Sequence, residues 1–270
     1  MGKLYVVATP IGNLEDITLR GLRILREASL IAAEDTRRAH ILTKRYEIET
    51  PLTSYFEGNK ITKLEAVLGA LDVGDVALIS EAGMPGLSDP GYELIHTAIQ
   101  RGYDVVPIPG PTAPITALVV SGLPTDAFLF LGYLPRRESR RRRLLNQVAR
   151  EEYTIIVFET PHRLLDSLAD IEAVLGDRPL ALCREMTKVH EEIWRGTVSE
   201  ARAVFSDRAP RGEFTLVIGG VAEEEQRWNE EQVRSALQDL LADGMRRPDA
   251  AKRVAELSGW DRSAVYKLGL

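Results

Sequence analysis

The chain reads as an α/β protein: two successive α/β units followed by a short helical tail. Three observations carry that reading. Short apolar, β-branched runs alternate with helix-spaced segments over the first hundred residues, the pattern of a parallel sheet. A second such alternation begins near residue 127, after the Gly- and Pro-containing stretch "SGLPTD" (121–126). Beyond Gly220 the composition shifts to polar segments with helical apolar spacing. The expected boundaries are 1–122, 123–224 and 225–270; at 270 residues, two domains and a tail are a natural division.

In order, "KLYVVAT" (3–9) is a buried strand that breaks at Pro10 and Gly12. "DITLRGLRILREA" (16–28) places Leu19, Leu22, Leu25 and Ala28 on one helical face, and "SLIAAE" (29–34) is the next strand. Strands "DVALIS" (75–80) and "DVVPIPG" (104–110) flank a helix, "DPGYELIHTAIQRG" (89–102), with Pro near its start and Gly at its end. In the second unit "AFLFLGYL" (127–134), "YTIIVFE" (153–159), "PLALCRE" (179–185) and "FTLVIGG" (214–220) read as strands, with a helix over 161–176. The tail holds helices over 228–244, with Asn229 as N-cap, over 247–259, between Pro248 and Gly259, and over 261–268, capped by Asp261. Short helices joined by Gly-containing turns suggest a helix-turn-helix; a small helical cap on the second unit fits equally.

Composition narrows the function. The 44% hydrophobic and 27% charged content is that of an ordinary soluble domain, and no run of about 18 apolar residues suits a membrane span. One cysteine, Cys183, excludes an internal disulfide and fits a reducing, cytoplasmic location. The balance is acidic, 34 Lys+Arg against 40 Asp+Glu. Against it, "PRRESRRRRLL" (135–145) gathers Arg136, Arg137, Arg140, Arg141, Arg142 and Arg143. Arginine forks bind phosphate well, and pairing with acids such as Glu151 and Glu152 is the structural alternative.

Two strand-end turns, "SEAGMPGLSDPG" (80–91) and "IPGPTAP" (108–114), are dense in Gly and Pro and sit where open α/β sheets bind ligands. "AEDTRRAH" (33–40) adds Glu34, Asp35, Thr36 and Arg37. A nicotinamide site would need a G-x-G-x-x-G turn after the first strand; "TPIGNLED" has a single Gly there. "FETPHRL" (158–164) and "REMTKVHEE" (184–192) gather His162, Arg163, Arg184, Glu185, Lys188 and His190, without metal-ligand spacing.

Taken in order, "VATPIGNLEDIT", "AEDTRRAHIL", "SEAGMPGLSDPG", "IPGPTA", "FETPHRL", "REMTKVHEE" and "GEFTLVIGG" resemble the signatures of the bacterial 16S rRNA (cytidine-2′-O)-methyltransferases, within the tetrapyrrole-methylase superfamily. The resemblance covers about residues 3 to 220, and the tail matches the family's layout. It implies two α/β/α domains, S-adenosylmethionine in the cleft between them, a homodimer, and methylation of a cytidine ribose in the decoding region of the small ribosomal subunit. Carried over, the cofactor contacts fall on Thr9, Pro10, Gly12, Ser80, Glu81, Ala82, Gly83, Met84, Thr112, Ala113, Phe158, Met186, Glu213, Phe214 and Thr215. This chain departs from the usual S-D-A-G-T-P at Glu81 and Met84.

A ribose hydroxyl needs its proton removed, and Lys188 with a depressed pKa, Asp35 or Glu185 are the candidate bases, Lys188 foremost. RNA contacts are expected from Arg37, the arginine tract, His162, Arg163 and Arg184. Three other readings compete: a same-fold methyltransferase for a small macrocycle, a nucleic-acid binder working through 229–270, and a nicotinamide oxidoreductase.

Overall fold

The computed structural model describes residues 2–221 and 228–268. A parallel five-stranded sheet forms the first half, in the order β3-β2-β4-β1-β5. Its strands are β1 (Leu4–Val7), β2 (Leu30–Ala33), β3 (Leu52–Ser54), β4 (Val76–Ile79) and β5 (Val105–Ile108). Alternate strand residues serve opposite layers. Val7, Ile31, Ala77, Ile79 and Ile108 pack on α1 (Leu19–Glu27) and α2 (Thr36–Arg45). Leu4, Ala32, Val76 and Leu78 pack on α3 (Lys60–Val73) and α4 (Tyr92–Gln100). Because these strands are covered on both faces they read as continuous apolar runs, which is why the sequence announced them.

The second sheet is mixed, in the order β6-β7-β10-β8-β9. Its strands are β6 (Phe128–Tyr133), β7 (Thr154–Glu159), β8 (Pro179–Arg184), β9 (Glu192–Thr197) and β10 (Phe214–Ile218). Only β6 and β7 run parallel; β10 is antiparallel to both β7 and β8, and β9 to β8. One face carries α6 (Glu138–Gln147), α7 (Leu164–Leu175) and α8 (Val198–Ser206) over a core that includes Leu145, Leu168, Ile171 and Phe205. The other face is covered by α5 (Ala113–Ser121), through Ala117 and Leu118 against Ile156, Ala181 and Val217. This helix precedes residue 122, so the segment before the Gly–Pro linker completes the second α/β/α layer rather than the first.

The tail folds around its own small core of Val233, Leu237, Ala250, Ala251, Val254 and Val265, all at most 1% exposed. Helices α9 (Glu230–Ala242), α10 (Arg247–Ser258) and α11 (Arg262–Leu268) follow the expected punctuation. Asn229 forms a capping box with Gln232, Gly259 ends α10 in the left-handed region (φ 68°), and the Asp261 carboxylate accepts from the Ser263 and Ala264 amides. The expected boundary at 224/225 lies outside the described residues.

The sequence reading misplaces or omits some elements. Leu19, assigned to the buried face of the first helix, is 86% exposed; α1 starts there, and Leu22, Ile24 and Leu25 supply the packed stripe. Helices α2, α3, α5 and α8 and strands β3 and β9 were not anticipated: β3 is three residues long, and β9, "EIWRGT", is an edge strand without apolar alternation.

Candidate active site

The carboxyl ends of β1, β2, β4 and β5 face those of β6, β7 and β8 across a cleft that encloses about 250 Å³. Antiparallel β10 brings its first residues, rather than its last, to the same place. Eleven of the expected cofactor residues line this cleft: Glu81, Ala82, Gly83, Met84, Thr112, Ala113, Phe158, Met186, Glu213, Phe214 and Thr215. Thr9, Pro10, Gly12 and Ser80 are not among the lining residues.

Three of them, Thr9, Gly12 and Ser80, brace the loops that form the cleft. The Thr9 amide donates to the Gly83 carbonyl at 2.9 Å and the Gly83 amide to the Thr9 carbonyl at 3.0 Å, tying the loop after β1 to the loop after β4. Gly83 has φ 79°, where a Cβ is strained. The Thr9 hydroxyl donates to the Ser80 carbonyl, and the Ser80 hydroxyl to the Ala82 carbonyl. At Gly12 a Cβ would stand 2.6 Å from Lys188 Cγ and 2.9 Å from the Met186 carbonyl oxygen. The two domains therefore touch backbone to side chain at that point, and the Asn13 amide donates to Thr187 Oγ1 across it.

The cleft is acidic. Glu34, Glu81, Asp89, Glu185 and Glu213 line it, against Arg38 and Lys188. Arg38 Nε lies 3.2 Å from Glu81, and Lys188 Nζ lies 2.9 Å from both Glu185 and Glu213. Glu34 and Asp89 form no ion pair among the described residues. Burial raises the Glu34 carboxyl above its ordinary value despite the Glu81 amide it accepts from. Burial, reinforced by Glu34, pushes Asp89 up to about 7.

The three expected bases fare poorly in this setting. Lys188 was expected to be depressed. Burial does act that way, but hydrogen bonds to Glu185 and Glu213 outweigh it and raise the ammonium above its ordinary value. Lys188 is thereby a charged strut between two loops. Burial alone would raise Glu185, yet Lys188 and the Glu213 amide hold it below the usual carboxylate range. Asp35 lies outside the cleft lining: it caps α2, accepts from the Arg37 amide and guanidinium, and falls to about 2.

The expected RNA residues divide in the same way. Arg37, Arg136, Arg137, Arg140, Arg143 and His162 are exposed. Arg141 is not available to a ligand: it is 5% exposed, and its guanidinium lies on Asp170 of α7, 2.6 Å from Nε to Oδ2. Arg142 is half-exposed and takes the other oxygen of the same carboxylate at 2.6 Å. Arg163 is held by the Leu134 carbonyl and by Glu159, and Arg184 by Glu192, and both are only partly exposed. The acids that pair the tract are Glu138 and Asp170 rather than Glu151 or Glu152.

Sequence reasoning singled out Glu34 at a strand end without assigning it a role, and missed Arg38, Asp89 and Tyr133 as cleft residues. Asp89 lies inside the quoted "SEAGMPGLSDPG", and Glu34 and Arg38 inside "AEDTRRAH"; motif membership was the available signal. Nothing in the strand "FLFLGY" marks Tyr133, whose direction depends on pairing.

Residues 3–202 match the family model described as tetrapyrrole (corrin/porphyrin) methylases. The chain is 45% identical over 273 aligned residues to a Synechocystis protein named ribosomal RNA small subunit methyltransferase I, covering 100% of this chain and 98% of that one. It is 42% identical to the protein of that name from Bacillus subtilis, covering 98% and 93%. Among solved structures it is similar to a Thermus thermophilus uroporphyrin-III-C-methyltransferase, with a TM-score of 0.56, 21% identity and coverage of 81% and 94%. A cobalt precorrin-4 methyltransferase of cobalamin biosynthesis gives a TM-score of 0.62 at 18% identity, covering 80% and 94%. At those identities the solved structures speak to the fold alone, whereas the model match and the full-length relatives speak to descent: the chain belongs to the tetrapyrrole (corrin/porphyrin) methylase family.

Proposed function

We propose that this protein transfers the methyl group of S-adenosylmethionine to the 2′-hydroxyl of a cytidine ribose in the decoding region of 16S rRNA, working in the cytoplasm as a homodimer on the small ribosomal subunit. Full-length relatives of that name support the substrate. The observation in the molecule that carries the reading is the acidic two-domain cleft.

The residues present fit the cofactor. S-adenosylmethionine carries a sulfonium and an ammonium, and the cleft offers five carboxyl side chains whose two basic neighbours are already paired. Asp89, raised to about 7 by burial and by Glu34, is matched by a bound cation. Ala82, Gly83, Met84, Thr112, Ala113, Phe158, Met186 and Thr215 supply the small and apolar wall. When bound, the cofactor supplies an electrophilic methyl on a leaving group that needs no acid.

The protein's part is then alignment and exclusion of water, which for a displacement of this kind accounts for most of the rate. The Thr9–Gly83 and Asn13–Thr187 bridges hold the loops of the two domains together. The Lys188 strut does the same for the 185 and 213 loops, where Glu185 and Thr187 adopt φ 49° and 65°; such positive values persist only where surrounding contacts impose them. The proton leaving the hydroxyl is taken up by a carboxylate, and Glu34, raised by burial, is the described cleft group suited to it. The RNA is gripped by exposed arginines: Arg37 beside the cleft, and Arg136, Arg137, Arg140 and Arg143 on the second domain.

The test uses purified protein, methyl-labelled cofactor and small subunits from a strain lacking this enzyme, followed by nuclease digestion and mass spectrometry. Label on a single cytidine ribose of the decoding region is expected. Tight cofactor binding with no label on the subunit RNA overturns the substrate.

A further inference from the structure

Strand β6 pairs in parallel with β7, Phe128 to Thr154, Leu129 to Ile155 and Phe130 to Ile156; the next pair is Tyr133 with Phe158. Between the last two pairs β6 advances three residues while β7 advances two. One extra residue is therefore accommodated at Leu131–Gly132, where Gly132 has φ 65°. A bulge of this kind changes which face a side chain serves. Leu129 and Leu131 pack on the α6–α7–α8 core, and regular alternation from Phe130 would send Tyr133 there with them. The bulge turns Tyr133 instead to the face of Phe130 and Phe158, into the cleft.

The ring that results is held and unfinished. Phe158 lies 5.3 Å from it, tilted at 56°, and Phe130 backs Phe158 edge-on at 5.1 Å. Yet Tyr133 is 51% exposed, whereas Phe214, the remaining aromatic of the cleft lining, is 2% exposed. Gly132 is committed to the arrangement, because a Cβ there would stand 2.9 Å from Ser88 Oγ of the opposing domain. A strand that spends a bulge and a left-handed glycine to aim a half-open aromatic ring at a ligand cleft is suited to a planar partner arriving from solvent. Single-stranded RNA supplies one, since its unstacked bases are read by stacking on aromatic side chains.

We propose that Tyr133, turned into the cleft by the β6 bulge and backed by Phe158, is the platform on which the base of the target nucleotide stacks while its ribose is presented for methylation. The proposal rests on the reading of this protein as an RNA ribose methyltransferase. Tyr133 then sets the affinity for the nucleotide and leaves that for the cofactor unchanged.

The experiment measures initial rates on undermethylated small subunits, and cofactor affinity by calorimetry, for wild type, Tyr133→Ala, Tyr133→Leu and Tyr133→Phe. Tyr133→Ala and Tyr133→Leu are expected to raise KM for subunits about ten- to hundredfold, the range of one base–aromatic stack. Their cofactor Kd should match wild type, which also certifies their fold, and Tyr133→Phe should behave as wild type. Should KM be unchanged, or should the cofactor Kd weaken by the same factor, the ring is a cofactor wall or a packing residue and the proposal falls while the enzyme's function stands. If wild type itself labels no subunit RNA, the functional reading falls and the platform with it.

Discussion

Two basic stretches of this chain meet opposite fates. In α2, Arg37, Arg38, His40, Lys44 and Arg45 are all exposed, the helix contains no acid, and α1 adds exposed Arg20, Arg23 and Arg26 on the same side of the sheet. In the denser tract around α6, Arg141 is buried and Arg142 is shared between Asp170 and Glu138. Helical phase explains the difference. Arg141 and Leu145 are the buried residues of α6, four apart on one stripe facing α7. A guanidinium on that stripe must find a buried acid, and Asp170 supplies it. The corresponding stripe of α2 is Ala39, Leu42 and Thr43, so none of its cations enters the core. Charge density in a sequence is not charge presented to a partner.

The largest effect expected from this contrast is on stability. Replacing Asp170 with Ala should destabilise the protein by about 3–5 kcal/mol, because it strands the buried Arg141 guanidinium; Arg141→Ala should cost less, since Arg142 still holds the carboxylate. Arg143→Ala should cost little; chemical denaturation compares them, and equal costs would break the phase argument. Next comes salt dependence. Replacing Arg136, Arg137, Arg140 and Arg143 together with Ser should reduce the slope of log affinity for subunit RNA against log salt by about 3, at roughly 0.7–0.9 per phosphate contact. A matched set in α1 and α2, Arg20, Arg37, Lys44 and Arg45, should do the same. If the α6 set changes nothing, the tract is structural throughout and the RNA path runs over the first domain alone.

The contrast extends to carboxyls, with smaller effects. Asp89, half-buried and near 7, should be protonated below neutrality in the free enzyme, so cofactor affinity should fall about tenfold per pH unit as pH drops below 7 and level off above it. Asp89→Asn should flatten that profile and weaken binding above pH 7, both read by calorimetry. The sign for folding is opposite: a carboxyl raised from 3.8 to about 7 removes stability as pH rises through that window, so Asp89→Asn should melt higher than wild type at pH 8. Asp35, outside the cleft and near 2, should matter least: Asp35→Ala should lower the melting temperature slightly, through its lost cap, and leave the pH profile of activity unchanged.

Much of this was legible in the order of residues. The buried parallel strands announced themselves as apolar runs, and the tail's Asn229, Pro248, Gly259 and Asp261 stand at helix ends as their backbone chemistry requires. Most of the residues expected around the cofactor do line the cleft, since they follow strand ends. Less legible were groups whose role depends on a neighbour far along the chain. Lys188 has the composition of a base, but its proton affinity depends on burial and on its bonds to Glu185 and to Glu213, the latter 25 residues away. Arg141 has the composition of an RNA contact, but Asp170 lies 29 residues on.

By itself, then, the sequence determined the periodicities, the strand-end turns and the family, because these are local: they depend on the spacing of apolar residues and on which residues accept a given φ. Only the tertiary structure decided which titratable groups keep their ordinary pKa, which arginines face water, and that α5 belongs to the second sheet. It also turned Tyr133 to the cleft, through one extra residue in β6 that shifts a register. Those outcomes depend on desolvation and on distances of a few ångströms between segments far apart in the chain, and neither quantity exists until the chain has folded.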